Sequence, residues 1–164
     1  MIIINATASF FAALVLHELG HYVAALLCGV PIKQAGFGWG PKLFGVRFSQ
    51  VDCQFRLLPV GAYVQMDIAT LQRRPLLQQL FVLGAGIGVN LVLCVLTWGS
   101  LFAAFNLALA IGNLIPVYQL DGWKSGMVLV RKLFGRPSPL VEWILTLGGG
   151  AIGLAVLVRA VLNF

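Results

Sequence analysis

The segment from Met1 to Cys28 is predominantly apolar and long enough to cross a bilayer as one helix. It nevertheless contains both histidines of the protein, His17 and His21, with Glu18 between them. A separation of four residues is about one helical turn, so both imidazoles lie on one helix face, where they can bind a single Zn²⁺. Glu18 beside them can act as the general base toward a metal-bound water. The segment therefore predicts a site for metal-dependent hydrolysis at membrane depth.

An H-E-x-x-H pattern can also arise by chance on the solvated face of a soluble helix. Here the flanking residues 10–16 and 22–27 are nearly all apolar, so no solvated face exists. Ionisable residues inside a membrane segment are costly and usually mark function. This setting favours a functional site over a chance match.

Composition and charge exclude several classes of protein. Only 10% of the 164 residues are charged and the mean hydropathy is +0.95, which excludes an ordinary soluble domain. The net charge of +6 comes from residues in the loops between apolar segments, so we expect no nucleic-acid partner. Three cysteines without a C-x-x-C spacing indicate reduced thiols. No basic region precedes the first apolar segment, so we expect it to be retained as a span.

Apolar segments and one alternating segment predict the fold. Four apolar segments have the length of a membrane span, at about residues 2–28, 76–98, 101–120 and 140–161. In the insert at about 32–67, apolar and polar residues alternate, which predicts an amphipathic β-hairpin turning near Ser49–Gln50 and a third strand at 62–66. We therefore expect a single domain over residues 1–164. Its fold class would be a membrane α-helical bundle of about four transmembrane helices, with a small membrane-associated β-hairpin or sheet between spans one and two.

The positive charges orient this arrangement. They fall between spans one and two and between spans three and four, at Lys33, Lys42, Arg47, Arg56, Arg73, Arg74, Lys124, Arg131, Lys132 and Arg136. The positive-inside rule places both loops in the cytoplasm and both termini on the other side of the membrane. His17, His21 and the end of span three would then lie at a similar, inner depth.

Asp121 is the candidate for a third metal ligand. Catalytic zinc usually has three protein ligands and one open position. Of the remaining acidic residues, Asp121 is the one predicted at the inner end of a span, where a carboxylate is costly unless it is paired or bound to metal. The alternative interpretation is a helix-end carboxylate in the headgroup region.

Asn90 and Asn113 are polar amides within predicted apolar spans. Either could donate a hydrogen bond to the oxyanion of a hydrolytic reaction. The alternative for both is interhelical hydrogen bonding, worth about 0.6 kcal/mol in membrane bundles.

Several segments in order resemble the site-2 protease family, the intramembrane zinc metalloproteases of the M50 type. Besides H-E-L-G-H at 17–21, these are G-F-G-W-G-P at 36–41, L-P-V-G-A-Y-V-Q-M at 58–66, A-G-I-G-V-N at 85–90 and N-L-I-P-V-Y-Q-L-D-G at 113–122. The family's pattern has proline where this chain has Ile87 and Tyr118. No segment of these 164 residues resembles a PDZ or CBS domain, so we expect a minimal catalytic core.

The resemblance implies zinc binding by His17, His21 and Asp121 and base catalysis by Glu18. It implies cleavage of transmembrane helices, and it assigns the hairpin region to the membrane-associated sheet near substrate entry. The expected partners are therefore a transmembrane-helix protein substrate, membrane lipid and a regulatory membrane protein. The expected location is the inner membrane of a prokaryote.

Two other functions use the same residues. A proteolytically silent scaffold would bind membrane helices, but such a protein would be expected to lose Glu18 first, and Glu18 is present. A metal transporter would need further histidines or acidic residues along a pore, and this sequence has no further histidine. The presence of Glu18 and the lack of further histidines therefore favour the metalloprotease.

Overall fold

The computed structural model describes residues 2–48, 51–135 and 139–162. In chain order its elements are α1 (Ile2–Leu27), β1 (Ile32–Phe48), β2 (Val51–Met66), α2 (Ile68–Arg73), α3 (Leu76–Leu96), α4 (Leu101–Leu114), α5 (Asp121–Phe134) and α6 (Pro139–Leu162). The chain forms two compact units, Met1–Ile111 and Gly112–Phe164.

The predicted four-span helical bundle is wrong. Across the described ranges the fold is mixed α/β, with six helices and a sheet, and two helical segments are long and apolar enough to cross a membrane, Ile4–Leu27 and Leu76–Leu96. The predicted third span breaks because α4 has 14 residues. At 1.5 Å per residue it is about 21 Å long, less than the ~30 Å of a hydrocarbon core. Pro116 disfavours helical backbone before it, and Gln119 has a φ of +81°, so the helix cannot continue to 120.

The sheet is larger than the predicted hairpin. Strands β1 and β2 pair antiparallel, but both bend, and residues 34–37 have Cα partners in 52–55 as well as in 62–65. Four segments therefore lie side by side, in the order 42–48, 51–58, 32–39 and 61–66. The bends fall at Gly38, Gly40 and Gly61, whose φ angles of +95°, +89° and +92° favour glycine. The predicted turn at Ser49–Gln50 lies outside the described residues.

The two faces of the sheet differ in polarity. The apolar face packs toward α1, with the rings of Phe11 and Phe37 at a centroid distance of 5.6 Å. On the other face Gln34 Nε2 donates to the Tyr63 hydroxyl at 2.7 Å, and Arg56 Nη2 donates to Gln54 Oε1 at 3.2 Å. The alternating apolar and polar residues therefore lie on opposite faces of the sheet. The apolar face packs against α1, and the polar face carries side-chain hydrogen bonds.

Two acidic residues around the sheet have lowered pKa values. A hydrogen bond from the Gln54 side chain, together with nearby Lys42, lowers the pKa of Asp52. A hydrogen bond from Thr70, with another from Lys33 at 3.0 Å, lowers the pKa of Asp67. Both carboxylates are therefore more readily ionised than ordinary aspartates.

Helices α1 and α3 pack closely through glycine. The buried residues of α3 include Val82, Gly86 and Asn90, which recur at four-residue spacing and so share one face. On α1, a Cβ at Gly20 would lie 2.8 Å from Val89 Cγ2 and 2.9 Å from the Ala85 carbonyl oxygen. Glycine at this position therefore lets the two backbones approach.

Helices α5 and α6 belong to the second unit. A Cβ at Gly149 of α6 would lie 2.8 Å from the Trp123 ring of α5. The same ring is in edge contact with Tyr118, at a centroid distance of 6.3 Å. Trp123 of α5 therefore packs against α6 at Gly149.

The close approach at Gly20 predicts that Gly20→Ala destabilises the protein by about 1–3 kcal/mol, since overpacking forces backbones apart. The matched control is Gly88→Ala, because a Cβ at Gly88 meets nothing within 4 Å. Thermal unfolding in detergent should give a lower midpoint for Gly20→Ala and an unchanged or higher one for the control, since alanine favours a helix more than glycine does. Equal midpoints would contradict close packing at Gly20.

Candidate metal centre

Helix α1 directs both histidines toward α3. His17 and His21 are 3% and 5% exposed, and their ring centroids are 4.9 Å apart. Their Nε2 atoms lie 3.3 Å from each other. The one-turn spacing in the sequence therefore does bring the two imidazoles together in a buried position.

The Nδ1 atom of each histidine faces an acceptor on α3. His21 Nδ1 lies 2.8 Å from the Val82 carbonyl oxygen, which can only accept, so Nδ1 carries the hydrogen. His17 Nδ1 donates to Asn90 Oδ1 at 2.5 Å. In a neutral imidazole with a protonated Nδ1, Nε2 holds a lone pair. In this tautomer both Nε2 atoms can act as metal ligands.

The Nδ1 hydrogen bonds hold the two Nε2 atoms 3.3 Å apart, and a cation bound between them would remove the repulsion of their lone pairs. Two ligand atoms at ~2.0–2.1 Å from a tetrahedral zinc are about 3.4 Å apart. The distance between the Nε2 atoms thus matches the spacing that a single zinc ion requires. The contact is better explained as two ligands of one metal than as a hydrogen bond between the rings.

Asp121 begins α5 and is 5% exposed. Its Oδ1 accepts a hydrogen bond from Lys124 Nζ at 3.0 Å. His17 and His21 are buried in the first unit and Asp121 is buried in the second. Two imidazoles and one carboxylate form a three-ligand set that is typical of catalytic zinc and leaves one position open. The residues present therefore fit a zinc ion.

Glu18 faces a groove between α1 and the apolar face of the sheet. The groove has a volume of about 360 Å³ and is lined by Glu18 and its α1 neighbours Val15 and Tyr22, and by sheet residues 35–37, 53–55 and 62–64. Glu18 is half-buried there. Its carboxylate thus borders a cavity of the size that binds a ligand.

Gly86 of α3 leaves room for the imidazoles. A Cβ at this position would lie 2.5 Å from His21 Nε2 and 2.7 Å from His17 Nε2. These are the two nitrogen atoms whose spacing suits a single zinc ion. A side chain at position 86 would therefore enter the space that the ligands need.

The asparagines of α3 and α4 have different surroundings. Asn90 is fully buried and bonded to His17, and its Nδ2 donates to Asn106 Oδ1 at 2.7 Å. Asn113 lies near the end of α4. The oxyanion roles of Asn90 and Asn113 stay predictions. Sequence reasoning missed Asn106, although it meets the same criterion as the other two, a polar amide in an apolar segment.

Comparison with known proteins gives one family. A model described as Peptidase family M50 matches residues 5–105, which include the H-E-L-G-H pentapeptide. A protein of Clostridium perfringens, whose name assigns it to the zinc metalloproteases, is 36% identical over 104 residues, covering 58% of this chain and 31% of its own. A Clostridium acetobutylicum protein named in the same way is 31% identical over 140 residues, covering 79% of this chain and 41% of its own.

A protein of Arabidopsis thaliana named as a chloroplastic membrane metalloprotease is 29% identical over 102 residues, covering 55% of this chain and 23% of its own. The chain therefore spans less than half the length of these three relatives.

The space at Gly86 predicts that Gly86→Ala lowers zinc affinity at least tenfold, because the new methyl group displaces the ligand nitrogens. The matched control is Gly84→Ala on the same helix, where a Cβ meets nothing within 4 Å. Bound zinc is measured by elemental analysis after dialysis, with circular dichroism to check folding. Equal zinc content in the two variants would argue against metal binding at Nε2.

Proposed function

The chain belongs to peptidase family M50, and from this premise we propose that it is an intramembrane zinc metalloprotease that hydrolyses peptide bonds within transmembrane segments of other membrane proteins. The family and the names of the relatives support a metalloprotease. The observation that carries the finer proposal is the position of the ligand pair. His17 and His21 lie inside Ile4–Leu27, a segment long and apolar enough to cross a membrane.

Each residue of the site has one task in this proposal. His17, His21 and Asp121 hold the metal, and Glu18 takes a proton from the attacking water and delivers it to the leaving amine. A zinc ion supplies Lewis-acid activation of water and of the scissile carbonyl near neutral pH. Because Glu18 follows His17 directly, it lies about 100° further around α1. The base can therefore border the groove while the ligands face α3.

The groove beside Glu18 suggests how a substrate is held. In a helix the backbone carbonyls are already hydrogen-bonded, so a transmembrane substrate must unwind before it is cut. We propose that the unwound segment lies extended in this groove, with its side chains against the apolar lining. The partners are then a transmembrane-helix protein and membrane lipid, together with a regulatory membrane protein that controls access.

Relatives that are named membrane metalloproteases and two membrane-length helices support location in a membrane. We propose a multi-pass protein of a prokaryotic cell membrane with both termini outside the cytoplasm. The basic residues between α1 and α3 support a cytoplasmic position for that loop.

Glu18→Gln should abolish cleavage and retain zinc, since the amide keeps the shape of the carboxylate but cannot accept the proton. The measurement is cleavage of a co-expressed single-span membrane protein, scored by immunoblot, with bound zinc measured on the same samples. Surviving cleavage with normal zinc would refute the protease assignment of this site. Binding of the helix without cleavage by the unaltered protein would instead indicate a scaffold.

Asp121→Asn should reduce zinc affinity at least tenfold, because the set loses its one anionic ligand. Asp67→Asn is the control, since this carboxylate is paired with Lys33 and Thr70 outside the ligand group. Zinc dissociation constants come from competition with a coloured chelator. A dissociation constant for Asp121→Asn equal to that of the control would exclude Asp121 as a ligand.

A further inference from the structure

Behind His17, a chain of buried hydrogen bonds connects α1 through α3 to α4. Asn106 Nδ2 donates to the Phe102 carbonyl oxygen at 2.8 Å, and Asn106 Oδ1 accepts from Asn90 Nδ2 at 2.7 Å. Asn90 Oδ1 then accepts from His17 Nδ1 at 2.5 Å. Asn90 and Asn106 are both 0% exposed. We call this series, from Phe102 O to His17 Nδ1, the relay.

The direction of every bond in the relay follows from its far end. A backbone carbonyl can only accept, so the Asn106 amide must turn its nitrogen toward Phe102 and its oxygen toward Asn90. Asn90 must then turn its nitrogen toward Asn106 and its oxygen toward His17. An oxygen facing His17 Nδ1 requires a hydrogen on Nδ1. The Phe102 carbonyl thus sets the tautomer of a histidine two side chains away.

The reverse direction is costly in this location. If both amides turned over, Asn106 Oδ1 would face the Phe102 carbonyl, and the two acceptors would leave each other unsatisfied. An unsatisfied buried acceptor costs about 1–3 kcal/mol. A second carbonyl, that of Ala13, lies 3.4 Å from Asn90 Nδ2 and supports the same orientation.

The two histidines depend on different groups for their tautomers. His21 Nδ1 donates to the backbone carbonyl of Val82, which no side-chain substitution removes. His17 depends on two side-chain amides. Loss of the relay should therefore affect His17 and leave His21 unchanged, which makes His21 an internal control.

We infer that Asn106 is a positioning residue that acts through Asn90 to hold His17 with hydrogen on Nδ1, the tautomer in which Nε2 can bind a metal. Partners of this kind behind a metal-binding imidazole raise affinity 10–100-fold. The inference rests on the proposed function only in assigning zinc to Nε2. The tautomer itself is a property of the metal-free protein.

The test is long-range ¹H–¹⁵N correlation on the metal-free full chain in micelles, with ¹⁵N-labelled histidine, at a pH of about 8.5, above the usual imidazole pKa. In the unaltered protein both rings should carry hydrogen on Nδ1. Asn106→Leu should convert a measurable fraction of His17, and none of His21, to the Nε2–H form. Chelator competition should show zinc binding 10–100-fold weaker for this variant.

Two further variants complete the test. Asn106→Asp keeps an oxygen toward Asn90 Nδ2 in either protonation state, so His17 should keep hydrogen on Nδ1. Asn5→Leu makes the same change at an exposed position of α1 and should alter neither spectrum nor affinity.

Three results would overturn the inference: an Nε2–H form of His17 in the unaltered protein, an unchanged His17 spectrum in folded Asn106→Leu, or conversion of His17 in Asn106→Asp. The first needs no variant to fold. Because all are read in metal-free protein, they are independent of whether Glu18→Gln abolishes cleavage.

Discussion

The hydrogen bonds from two imidazoles of α1 to acceptors on α3 are the constraint on which the rest of the site depends. An unpaired polar group buried among apolar side chains costs several kcal/mol, so each Nδ1 must find an acceptor on the neighbouring helix. His21 meets the Val82 carbonyl and His17 meets Asn90. These contacts are short only if the helices are close, which explains glycine at positions 20 and 86.

The same contacts separate the tasks of α1. With Nδ1 bonded to α3, each ring presents Nε2 to the space beside Gly86. The neighbouring Glu18 lines a groove against the sheet. One helix thus directs two imidazoles toward one packing partner and a carboxylate toward another. The adjacency of His17 and Glu18 in the chain achieves this because successive residues lie about 100° apart around a helix.

Some parts of the fold could be predicted and others could not. Apolar and polar residues alternate in 46–57, and this local pattern predicts β-structure. The described residues of this segment do lie in β1 and β2. The bends at Gly38–Gly40 and Gly61, which turn two strands into four paired segments, depend on partners distant in the chain. The prediction of the third span rests on hydropathy alone. Hydropathy does not depend on backbone conformation, so it cannot show that the helix ends before Pro116 and Gln119.

By itself, the sequence determined that two histidines and a glutamate share one apolar helix at a spacing suited to one metal ion, because helical periodicity is local. Only the tertiary structure decided which nitrogen of each ring is hydrogen-bonded to α3 and which points away from that acceptor. The acceptors lie 61 and 73 residues from the histidines. One is a backbone carbonyl, which every residue type possesses and which therefore leaves no trace in the sequence. The other, Asn90, takes its orientation from Asn106 and the Phe102 carbonyl, a dependence that exists only once three helices have packed.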